Sequence, residues 1–63
     1  MQSFQHLPPP ERVKAYLRRA DDFRELYRMA LSEHLKLLYL DMARFMTERA
    51  MAVQGQHAVE QSR

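Results

Sequence analysis

The chain has 63 residues, one glycine, no cysteine, and ten basic against eight acidic side chains, a net charge of +2. A core that small rarely contributes more than about 3–5 kcal/mol without a staple, and the missing cysteine removes disulfides, thiolate metal sites and thiol nucleophiles. At 46% apolar and 29% charged the composition is too apolar for a disordered chain. No apolar run is long enough to span a bilayer, so oligomerisation is the staple that remains.

Residues 1–9, "MQSFQHLPP", read as an extended proline-rich segment. They lack the basic and apolar regions of a secretory signal, and Pro8, Pro9 and Pro10 are too close together for a P-x-x-P ligand. Pro9 or Pro10 suits the first helical position, where the missing N–H costs nothing. Glu11 then falls in the first turn, where the helix dipole favours an anion.

Residues 10–54 contain neither glycine nor proline. Apolar side chains recur at Val13, Leu17, Ala20, Phe23, Tyr27, Leu31, Leu35, Leu38, Met42, Met46, Ala50 and Val53. That spacing is close to the helical period of about 3.6 residues, and no stretch alternates with the period of two that a strand requires. An unbroken helix over this region would be about 67 Å long, which suits a coiled coil better than a small monomer. Two places offer a break. Asp22 with Glu25 makes a capping-box pattern near 20–22, and Ser32 followed by Glu33 makes an N-cap near 30–32. The second break predicts an antiparallel hairpin of helices at roughly 10–30 and 33–54. The missing glycine counts against it, because tight helix–helix turns commonly use one. Gly55 is placed to end the second helix in the left-handed conformation, which leaves 55–63 as a flexible polar tail.

The expected fold is therefore all-α, a helical hairpin or one long helix with a bend. It would complete its core by oligomerisation, as a dimeric four-helix bundle. Val13, Leu17, Phe23, Tyr27, Leu31, Leu35, Leu38 and Met42 form the predicted core. In "LKLLYLDMARFM", Leu35, Leu38, Tyr39, Met42, Phe45 and Met46 share one helical face, while Leu37 and Leu40 sit nearly opposite beside Lys36, Asp41 and Arg44. Leu37 and Leu40, with Tyr39, Phe45 and Met46, are the expected interface, rich in residue types that favour interface cores.

Chemistry is scarce. His6, His34 and His57 show neither the His-x3-His nor the Glu-x-x-His spacing of helical metal sites, and His34 reads as a packing residue. Ser3, Ser32 and Ser62 lie in no nucleophile motif, and one glycine cannot build a phosphate loop. No catalysis, cofactor or metal is expected. Arg12, Arg18, Arg19, Arg24 and Arg28 could contact phosphates. They are interleaved with Glu11, Asp21, Asp22 and Glu25, however, and the spacings Arg18–Asp22, Asp21–Arg24 and Glu25–Arg28 suit ion pairs on one helix. Charges around the most apolar segment are balanced, which argues against a membrane-lying helix. The preference for arginine over lysine, eight to two, fits a bacterial genome rich in GC.

These features point to a small, non-catalytic, cytoplasmic interaction or regulatory protein that self-associates and contacts a further protein. A dimeric nucleic-acid-binding regulator built on the five arginines is the alternative, and an accessory subunit of a larger complex is a third.

Overall fold

The computed structural model describes residues 4–61. Two α-helices, α1 (Pro9–Met29) and α2 (Glu33–Gln61), fold back on each other across a turn at residues 30–32, and no strand occurs among the described residues. Pro9 and Pro10 take the first two helical positions. The Pro8 carbonyl accepts the first helical bond from the Arg12 N–H at 2.8 Å.

The segment before α1 is not extended throughout. Residues 5–7 form a turn, closed by the Leu7 N–H donating to the Phe4 carbonyl at 3.0 Å. Phe4 meets the buried Tyr16 edge-on, with ring centroids 5.1 Å apart. The Arg12 guanidinium donates to the carbonyls of Leu7 at 3.0 Å and Gln5 at 3.3 Å. An aromatic contact and a charged clamp thus fold residues 4–8 onto α1 as a strap. Residues 1–3 of the segment lie outside the described residues.

The turn at 30–32 needs no glycine. Ala30 is extended at φ −68° and ψ 138°, and no described non-glycine residue has positive φ. Ser32 starts α2: its hydroxyl oxygen accepts the Leu35 N–H at 3.1 Å, which satisfies one of the free donors of a helix start. Asp22 lies inside α1, which continues through it unbroken.

Gly55 does not end α2. Its φ is not positive and the helix runs on to Gln61, so residues 55–61 are helical instead of a loose tail. Gln54, Gln56 and Ala58 are good helix formers and carry the helix past the one glycine. Residues 62 and 63 lie outside the described residues. The result is a rod of 48 × 17 × 15 Å with a radius of gyration of 13.6 Å, against about 11 Å for a compact chain of this length.

The core is thin. Tyr16, Ala20, Met46 and Ala50 form it, with Phe4, Val13, Phe23 and Val53 packed around them, and Ala43 is buried too. Val13 and Phe23 thus take up part of the predicted core, and Met42 is half-buried. Leu17, Tyr27, Leu35 and Leu38 are instead exposed, and Leu31 is wholly so at 100%. Two causes account for this. The helices approach along alanines, which leaves the longer side chains flanking the seam, and Leu31 sits in the turn outside both helices. Met46, expected at an interface, is in the core. No described helix is long and apolar enough to cross a membrane.

Candidate interaction surface

Each helical residue turns the chain by about 100°. Measured from the buried line Ala43, Met46 and Ala50, this places Leu35, Met42, Leu38 and Phe45 on one side of α2. Leu40 and Leu37 fall on the other side. The same construction on α1, from Tyr16 and Ala20, places Phe23 and Leu26 on the first side and Leu17 on the second. The hairpin therefore has two open faces of different character.

The first face is apolar. Leu26, Leu35 and Leu38 are exposed on it, and Phe45 is 53% exposed. Beneath them Phe23 and Tyr39 stack across the two helices, ring centroids 6.5 Å apart. A shallow groove here is lined by Asp41, Met42, Phe45 and Met46. Two cations border the face. Arg19 lies over the Phe23 ring at 6.0 Å, and Arg49 lies 5.9 Å from both the Tyr16 and the Phe45 rings. Guanidinium groups so placed cover aromatic carbon and keep their charge toward water.

The second face is mixed. Leu37, 60% exposed, and Leu40, 38% exposed, are surrounded by polar side chains. Arg24 pairs with Asp21 at 2.9 Å and also donates to the Thr47 hydroxyl oxygen at 3.1 Å across the helices. Thr47 in turn donates to the Ala43 carbonyl at 3.0 Å, and Arg28 pairs with Glu25. Leu40 shares shallow grooves with these groups and with Arg44 and Glu48.

The five residues expected at one interface are thus divided. Met46 is buried, Tyr39 is half-buried, Phe45 is on the first face, and Leu37 and Leu40 are on the second. Leu26 was absent from the sequence-derived core and interface. Its position three residues after Phe23 places it on the same flank of α1 and is the signal that identifies it.

The arginines do not gather on one side. Arg24 and Arg28 are paired on the second face, Arg19 covers Phe23, and Arg12 is tied to backbone carbonyls while its Nε is buried without a hydrogen-bond partner. Arg18 is exposed beside Glu11 and Lys14. His34 is exposed at the start of α2 rather than packed. Among the described residues no three histidine or acidic side chains cluster as a metal site would require. Compared with known protein families, curated proteins and solved structures, the chain matches none.

Proposed function

We propose that the chain is a small, non-catalytic interaction protein of the cytoplasm, whose hairpin completes its core by pairing with a second copy into a four-helix bundle. One observation carries this reading. Five described apolar residues are buried and three of them are alanines, whereas twelve large apolar side chains are exposed. Burying one such side chain contributes roughly 1.5–3 kcal/mol. The single hairpin therefore leaves most of its available hydrophobic stabilisation unused, and a partner surface recovers it.

The experiment is thermal unfolding followed by circular dichroism across a series of protein concentrations. Folding coupled to association makes the midpoint rise with concentration. A midpoint independent of concentration, on a chain that stays helical and monomeric, rejects self-association.

A further inference from the structure

We propose that the second copy seats on the face formed by Leu26, Leu35, Leu38, Met42 and Phe45, and not on the face that presents Leu37 and Leu40. This rests on the self-association reading and adds the place where it occurs. Three observations argue for a second copy at this site.

The first is area. One open face of a 48 × 17 Å rod spans about 800 Å², which is what each partner contributes to a standard interface. The exposed surface of the chain gives a similar figure. It is 5214 Å², roughly 900 Å² more than a compact monomer of 7.6 kDa presents. An occupant of the same dimensions covers the face from end to end, and a second hairpin has those dimensions.

The second is chemistry. The first face offers leucine, methionine and phenylalanine over a stacked pair of rings, a surface that packs against another like it in a two-fold contact. On the second face a partner would have to desolvate Asp21, Arg24, Glu25 and Arg28, which already satisfy one another.

The third is charge. Arg19 and Arg49 already lie over rings of their own chain, so the first face does not depend on an acidic partner. Other proteins, lipid and nucleic acid are the competing occupants.

Sedimentation equilibrium on single variants from each face, with helicity measured in parallel, tests the assignment. Leu38→Ala and Phe45→Ala are each expected to weaken the dimer by about a hundredfold, because every dimer carries the change twice. Leu37→Ala is expected to leave the dissociation constant within about threefold, as surface substitutions commonly do. If a first-face variant loses helicity at low concentration, its recovery at high concentration shows weakened pairing and supports the assignment. Failure to recover, with no dimer at any concentration, would contradict it. Dimerisation that survives Leu38→Ala and Phe45→Ala but is lost in Leu37→Ala overturns the face and leaves self-association standing. A wild-type chain that is monomeric throughout overturns both.

Discussion

Ser32 and the buried alanines show how single side chains decide the hairpin. The Ser32 hydroxyl satisfies the Leu35 N–H at the exposed start of α2, and removing such a cap costs about 1 kcal/mol. Ser32→Ala is expected to lower stability by that amount in urea denaturation, with Ser32→Gly much closer to wild type. Equal stability of Ser32→Ala and wild type would show the cap to be idle. Ala20 and Ala43 have almost no exposed surface at the helix–helix seam, so added methylenes there have nowhere to go. Ala20→Leu should destabilise by about 1–3 kcal/mol through overpacking, even though it makes the chain more hydrophobic. A stabilised Ala20→Leu would mean that the helices are held apart by something other than their alanines.

At the scale of the element, Gly55 tests whether α2 is one helix. It sits inside the helix without positive φ, and a Cβ built on it meets nothing within 4 Å. Gly55→Ala should therefore stabilise the chain by about 0.5–1 kcal/mol. A loss of stability would indicate a left-handed helix end at that position. The same element shows what can be read from sequence. The helical period across 10–54 and the proline start of α1 are local properties, written in side-chain spacing and in the fixed φ of proline. The break at Ser32 is legible as a cap. The missing glycine weighed against it only because a left-handed turn residue was assumed, and the extended Ala30 makes one unnecessary. Which apolar residues are buried is a different kind of property. Leu35 and Leu38 look like core because they are large, yet the seam forms where alanines let two backbones approach. That depends on the pairing of α1 with α2, which neither helix encodes alone.

For the whole molecule, shape and exposure carry the account. A rod with one helix–helix seam and a core whose only large fully committed residues are Tyr16 and Met46 has little to hold it at low concentration. The strap is a second support: Phe4 closes the end of the core over Tyr16, and Arg12 holds the strap in place. Phe4→Ala is expected to destabilise by about 1–3 kcal/mol, in the range of partly buried aromatic truncations, with the near-ultraviolet signal of Tyr16 altered. An unchanged melting curve would show that the strap does not contribute. The sequence pointed to an unsatisfied apolar side but placed it at Leu37 and Leu40. Folding two helices together creates a face out of Leu26, Leu38 and Phe45 that no single helical wheel contains. Sedimentation equilibrium of the unmodified chain at micromolar concentration tests the central claim most directly. The account predicts a helical species of twice the 7.6 kDa chain mass that dissociates and loses helicity together on dilution. A stable helical monomer at every concentration would contradict it.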